Sequence, residues 1–443
     1  MTSTPPKQSD QSTASDSSEM VAIGQRFNKK VTALRLFAEQ LGPIADSTDE
    51  EQRGDQVISL LRLLGVSVPD EPMTIAARRE FVRGIHINIS TEPISQQSES
   101  VPTSNQLPIT ESLTAKLVTF VETARRRTPS HGHTLRTSAL MLAVSLLDAL
   151  FADLLQLYFV KYPSSLDGEE HKISFSEICS LGSIDAAREL VLHRKIESIL
   201  RRSCRKQIEY FTARLKIDLS DLVPYLSILD ETVQRRHVWV HNGGRVNKLY
   251  LANVDEKYSK QFAEGETLPV DAQYLRRAID RVNLAGVVIS QQCWRKWLPS
   301  ETRFADSALA DNVFDTLCDK RYVAAQYLGK YACRVVASSD ESRRNTILNY
   351  AQAFRWAGKP ERAKSIVLEH DWSSCNMRYR IAAMVLSDEV SEAIKILPLA
   401  IAAGELSVHH LREWPIFQSF REDARVKVII DEQSRNKEQP NSD

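Results

Sequence analysis

The chain is predicted to be all-α, on three observations. Glycine and proline are sparse, 15 and 17 among 443 residues. Apolar residues recur at helical spacing over nearly the whole length, and runs that alternate as a half-buried strand does are few. The hydrophobic fraction of 42% and charged fraction of 26% are those of an ordinary globular protein, which excludes collagen, bulk disorder and a small disulfide scaffold. The 57 basic and 57 acidic side chains cancel to a net charge of zero. A chain of this length has room for two or three domains of about 100–200 residues each.

Taken in order, residues 1–20 are rich in Ser, Thr, Asp and Gln, with almost nothing to bury, and read as a disordered tail. Residues 21–90 read as a small helical region: Val31, Leu34, Phe37, Ala38 and Leu41 keep helical spacing, as do Val57, Leu60, Leu61 and Leu64. No chemistry is evident there. The Pro/Ser/Gln-rich stretch 91–109 reads as a linker.

Residues 110–298 read as a compact helical bundle. A helix is expected from Thr110 to the Arg125–Arg127 triplet, with Pro129 and Gly132 stopping it. A long apolar helix follows from Leu135 to about Val160, then a loop through Pro163 and Gly168. A basic helix, with room for one break, spans Ala186–Lys216. The next helix ends at His241-Asn242-Gly243-Gly244, where the glycines and Asn supply a stop, and Asp271–Trp297 closes the bundle.

Residues 303–432 carry shorter helices in pairs. Residues 346–372 read as helix, Gly-Lys-Pro turn, helix, and the pattern returns loosely from Met377 to Gly404. The stretches Glu361–Val367 and Ser391–Leu397 lie 30 residues apart with alanines at matched positions, the small residues that let stacked helices approach. Tyr350, Ala351, Gly358, Pro360 and Ala363 resemble in part a tetratricopeptide-like repeat, although 34 is the usual period of that class. The ending from Leu411 to Phe417, followed by Arg421–Arg425, is similar to a terminal cap of such arrays, and an unrelated helical hairpin domain is the alternative. Residues 433–443 read as a second polar tail.

The six cysteines (Cys179, Cys204, Cys293, Cys318, Cys333, Cys375) form no CxxC pair, which argues against a zinc ribbon and fits a reducing compartment. The first twenty residues have neither the basic nor the apolar part of a secretory signal. The most apolar run, Ala139–Leu147, ends at Asp148, short of the roughly 20 residues of a membrane span. A cytoplasmic protein without a membrane segment is expected.

The most informative stretch is Asp230–Asn247, where Arg236 and His241 form R-x4-H. That spacing alone is weak, since Arg126/His131 and Arg188/His193 share it. Context singles out this pair. It closes a helix, has the polar His237 after the arginine, and runs into Asn242-Gly243-Gly244. It also belongs to a bundle whose long apolar helix carries an embedded acid, Asp148.

In these residues the chain resembles the HEPN superfamily, the helical domains of many prokaryotic ribonuclease toxins and RNA-processing proteins. Their signature is R-x4-6-H with a polar residue after the arginine. The form Arg236-His237-Val238-Trp239-Val240-His241-Asn242-x-Gly is similar to the branch called RiboL-PSP-like. The resemblance spans about residues 110–298, its specific part fewer than twenty. It implies a metal-independent endoribonuclease, a toxin–antitoxin or phage-defence effector, that leaves 2′,3′-cyclic phosphate and 5′-hydroxyl ends. It also implies pairing of two chains around the motif. Catalytically inactive members exist, so an RNA- or protein-binding scaffold is the alternative.

The residue types suit that chemistry. Attack by the RNA's own 2′-hydroxyl needs a base, an acid for the departing 5′-oxygen, and positive charge on the phosphorane-like transition state. Histidine serves either proton role near neutral pH, and arginine supplies a fixed fork for phosphate oxygens. No cofactor is required. Five residues of ideal helix place Arg236 and His241 about 140° apart, so they share a face only if the helix ends between them. One chain offers a single motif histidine. His237, or a second subunit, would supply the other proton group. A homodimer through the bundle, its two His241-bearing ends around one cleft, is expected.

The structural alternatives stay open at this point. Arg236 could pair with Glu231, and a helix-terminal histidine is often only a cap. His237 and His241 also have the i, i+4 spacing of a zinc pair, but Val238 stands where a metalloprotease has its glutamate.

Between Arg188 and Lys216 lie nine Lys/Arg (Arg188, Arg194, Lys195, Arg201, Arg202, Arg205, Lys206, Arg214, Lys216) against three acids. Such a stripe can track RNA phosphates or simply be a solvated face. The RNA-binding candidates are Arg194, Arg201, Arg202, Arg205, Lys206, Arg235 and Asn242, with Asp148 and Glu231 in support. The C-terminal repeats are the candidate surface for a protein partner.

Overall fold

The computed structural model describes residues 10–63, 130–166 and 173–438, with isolated positions 68, 73–74 and 76–77. The expected linker 91–109 and the expected helix from Thr110 through Arg127 lie outside the described residues. Leaving aside the one-turn helix Glu256–Ser259, in chain order the helices are α1 (Asp10–Leu63), α2 (His131–Lys161), α3 (Phe175–Leu181), α4 (Ile184–Leu200), α5 (Cys204–Glu209), α6 (Val223–Asn242), α7 (Lys248–Asn253) and α8 (Ala272–Trp297). They continue as α9 (Thr302–Cys318), α10 (Tyr322–Val335), α11 (Asp340–Trp356), α12 (Pro360–Leu368), α13 (Met377–Leu386), α14 (Val390–Ala402), α15 (Val408–Glu413) and α16 (Ala424–Glu438). Among the described residues the fold is all-α, and a lone bridge between Arg245 and Thr267 is its nearest approach to a sheet.

The N-terminal expectations are corrected. The segment read as a tail is helical from Asp10, and Met20 is 1% exposed. Met20, Ile23, Phe27, Val31 and Leu34 form one apolar stripe of α1, buried in the same core as α2 and α8. This part of the region expected to be separate therefore shares the core of the bundle. Gly286 of α8 marks the closest approach, because a Cβ there would sit 2.3 Å from the Phe27 ring. Gly132, expected to stop a helix, lies inside the first turn of α2. The basic segment is not one helix: α4, α5 and the π-helical turn Tyr210–Arg214 divide it. The expected C-terminal tail is helical as far as Glu438.

α2 is the hub of the bundle, with Leu140, Phe151, Leu154, Leu155 and Phe159 wholly buried. By length and composition it would pass for a membrane span, with a mean hydropathy of 1.9 over its best window, more than the run ending at Asp148 suggested. Half of that window is packed inside the protein, so the core accounts for part of its apolar character.

The start of α2 is held by a carboxylate from α1. Asp49 accepts from the backbone N–H of His131 at 2.7 Å and of Gly132 at 2.9 Å, and from the Ser130 hydroxyl at 3.1 Å. Burial opposes ionisation of Asp49, but the hydrogen bonds from Gly132, His131 and Ser130 outweigh it and hold the pKa down to about 2. This satisfies the open N–H groups of a helix that has no acidic residue in its first turn. Asp49→Asn is expected to cost about 2 kcal/mol at pH 7 by urea unfolding. The folded pKa is depressed, so the stabilisation is complete above the ordinary carboxylate pKa and is lost as pH falls toward 2. Wild type and variant should converge at the acid end.

The C-terminal region continues from the bundle without a break in the core. Leu309, Val313, Leu317, Leu328 and Tyr331 of α9 and α10 join the same cluster as α2 and α8, so the expected boundary near residue 300 is not a core boundary. Arg321 reinforces the junction by pairing with Asp280 at 2.8 Å, which Arg35 of α1 also holds at 2.7 Å. A second cluster runs from Ile347 to Ile430. The helices form hairpins α9/α10, α11/α12 and α13/α14, and each turn has one left-handed residue: Lys320, Gly358 and Asp388. The next residue's N–H in each turn donates five positions back, Arg321 to Thr316, Lys359 to Phe354 and Glu389 to Met384, at 3.0, 2.9 and 2.8 Å. Ala363 and Ala393, matched in the sequence, are both fully buried in the second helix of their hairpins.

Candidate functional site

α6 carries the motif. Pro224 opens it, and Gly243 (φ +57) and Gly244 (φ +80) close it in the left-handed conformation. The helix therefore runs through His241 and does not end between Arg236 and His241, as a shared face would require. The two residues stay on adjacent turns of one regular helix, about 140° apart. Gly244 is also a close-approach position, since a Cβ there would lie 2.4 Å from the Trp239 ring. Trp239 also meets His133 of α2 edge to face, with ring centroids 4.6 Å apart.

Arg236 pairs with Asp148 of α2, Nη2 to Oδ2 at 3.2 Å, and not with Glu231. Its side chain is 24% exposed, at the surface but anchored. Burial lifts the Asp148 pKa above the ordinary carboxylate range, against the pull of Arg236 and a hydrogen bond from Gln207. His237 and His241 lie one turn apart with their rings in tilted contact, centroids 4.4 Å apart and planes at 50°. Burial depresses the His237 pKa below 6.5, and His241 and Arg236 depress it further. His237 is half-buried and His241 exposed, so the pair opens to solvent at the end of α6.

Arg235, an RNA-binding candidate in the sequence, is turned into the protein. It is 5% exposed; its Nε donates to Glu231 Oε1 at 2.7 Å, its Nη1 to the Pro269 carbonyl at 2.6 Å, and its guanidinium lies 4.1 Å from the Tyr274 ring centre. Glu231, 1% exposed, also accepts from the hydroxyls of Tyr250 at 3.1 Å and Tyr274 at 2.8 Å. The Glu231–Arg235 pair therefore fastens α6 to α7, to α8 and to the strand-like return through Pro269. Asn242 is exposed, and its amide nitrogen donates to the Arg245 carbonyl at 2.5 Å, which closes the turn.

The basic candidates are spread over α4 and α5 and are partly spent. Arg194 pairs with Glu177 at 2.8 Å, Arg201 with Glu197 at 3.1 Å, and Arg205 with Asp230 at 3.1 Å. Asp230 sits two turns before His237 on the same face of α6, so Arg205 brings the basic segment toward the histidine pair. Arg202 and Lys206 are exposed. Among the described residues no group of three or more His, Cys, Asp or Glu is placed to hold a metal ion.

Two large clefts lie elsewhere. One, about 710 Å³, is lined by Phe27 of α1, Trp294 of α8 and Asp311 and Asp315 of α9. The other, about 900 Å³, is an apolar groove between α1 and α2. His133, Tyr250 and Tyr274 are the residues that sequence reasoning missed as parts of the site. Glu231 and Arg235 at i, i+4 carried a signal for their pairing; His133, more than a hundred residues from Trp239, carried none. Compared with known proteins, the chain matches no family model, no curated protein and no solved structure.

Proposed function

We propose that the bundle is a HEPN-like endoribonuclease that cleaves RNA without a metal ion, acting in the cytoplasm as a toxin or phage-defence effector. The observation that carries this reading is the His237/His241 pair, rings in tilted contact, at the exposed end of α6 and next to an arginine anchored by Asp148. His237, kept neutral by its surroundings, takes the proton of the 2′-hydroxyl as that oxygen attacks phosphorus. His241 gives a proton to the 5′-oxygen as its bond to phosphorus breaks. Arg236 has five N–H donors, and the contact with Asp148 leaves others for the phosphorane oxygens. The products are a 2′,3′-cyclic phosphate and a 5′-hydroxyl. A homodimer through the bundle would place two such ends around one cleft, and the tetratricopeptide-like hairpins would hold a protein partner.

The test is incubation of total RNA in EDTA with wild type and His241→Ala, with the new ends mapped and the particle mass measured by light scattering. Wild-type cleavage to cyclic-phosphate ends that His241→Ala abolishes supports the proposal. Cleavage that needs Mg²⁺, or that survives the substitution, rejects it. A second reading, an inactive scaffold that binds RNA or protein, is favoured by one observation: neither large cleft is lined by Arg236, His237 or His241. Retention of RNA without cleavage would select it.

A further inference from the structure

The cleft of about 710 Å³ between α1, α8 and α9 is lined by polar groups that no other described residue satisfies. Asp311, Asp315 and Asp319 follow one another at four-residue spacing along the α9 wall, and none of the three carboxylates has an ion pair among the described residues. Burial raises the Asp311 pKa above the ordinary carboxylate range, and burial together with Asp311 and Asp319 raises that of Asp315. The α8 wall carries donors instead. Gln291 is 4% exposed, and its Oε1 accepts from Arg295 Nη2 at 3.2 Å. Its amide nitrogen is left without a partner toward the cleft that the residue lines. The indole nitrogen of Trp294, on the same wall, has no partner either. Lys29 of α1 also lines the cleft without an ion pair, while Phe27, Leu36 and Val287 add apolar wall. A hydrogen bond from Asn28 to Asn312 ties α1 to α9 at the same place.

We propose that this cleft binds a basic amino acid, arginine or lysine, with its cationic groups on the aspartates and its carboxylate on Gln291 and Lys29. The unsatisfied groups define the ligand. Carboxylates call for cations, whereas an amide N–H and an ammonium call for an oxygen acceptor. A metal ion does not fit, because among the described residues no three His, Cys, Asp or Glu are placed to share one. A linear polyamine would answer the aspartates, but it offers Gln291 no oxygen and would be repelled by Lys29. A basic amino acid carries both kinds of group. Its α-ammonium and side-chain cation lie about 6–8 Å apart when the chain between them is extended. Carboxylates four residues apart on a helix are separated by about 6 Å along its axis, so two aspartates can each take one cation. The methylene stem then lies on the apolar wall. The cleft volume falls within the roughly 300–1,000 Å³ of small-molecule sites. Nothing in this assignment depends on RNA cleavage at the end of α6.

The test is titration calorimetry of the full-length chain with arginine and lysine, and with agmatine and cadaverine, the same cations without the carboxylate. The two amino acids should bind, and each decarboxylated amine should bind at least about tenfold more weakly than its parent. Asp315→Asn and Gln291→Leu should each weaken arginine or lysine binding by at least about tenfold, since each leaves a charged group of the ligand unanswered in a desolvated site. The comparison of ligands uses the wild-type chain alone, so it stands whether or not a variant folds. No binding of either amino acid up to about 1 mM would overturn the proposal. So would agmatine binding as tightly as arginine, or an affinity that a folded Asp315→Asn leaves unchanged.

Discussion

Replacing Glu231 with alanine is expected to destabilise the protein by about 3–5 kcal/mol, among the largest losses that one side chain here can cause. The carboxylate is 1% exposed and lies against a guanidinium that is itself 5% exposed. Removing it leaves Arg235 charged and buried without its counter-ion. Arginine keeps its proton in proteins, so shedding it offers no relief. The Tyr250 and Tyr274 hydroxyls lose their acceptor at the same time. Urea unfolding should show the loss. The double variant Glu231→Met/Arg235→Met should recover much of it, because two apolar side chains of similar bulk carry no desolvation penalty. A loss below about 1 kcal/mol would mean that water reaches the pair. The same network fixes the end of α6, so Glu231→Ala should also reduce any activity of the His237/His241 pair.

His237→Ala is expected to lower RNA cleavage by about 10²–10⁴-fold, the usual contribution of a positioned acid or base. The pH profile distinguishes its role from a structural one. A base must be neutral to act, and the His237 pKa lies below 6.5 through burial and the neighbouring His241 and Arg236. Cleavage should therefore rise with pH along an acid limb centred below 6.5. In His237→Ala that limb should vanish from the residual rate. If the limb persists unchanged, the base comes from elsewhere, and a second subunit becomes its source.

The all-α class was legible in the sequence because helical spacing and sparse glycine and proline are local properties. The hairpin turns at Gly358 and the end of α6 at Gly243-Gly244 were legible for the same reason: the left-handed conformation selects its residue locally. The motif stretch, too, showed which side chains would stand at the end of one helix. Its partners were not visible. Spacing left Arg236 between Glu231 and other acids, and the fold gave it Asp148, 88 positions away, while Glu231 went to Arg235. Arg235 and Arg236 look alike as adjacent arginines. One is buried and the other at the surface because successive helix positions differ by about 100°, and only packing against α7 and α8 decides which direction is inside. The same holds for α1, where Met20, at the end of the segment that looks like a polar tail, is buried once α2 and α8 supply a surface for it. Local chain chemistry sets which conformations a segment prefers, whereas burial and ion pairing depend on residues brought together from distant positions, and that requires the assembled core.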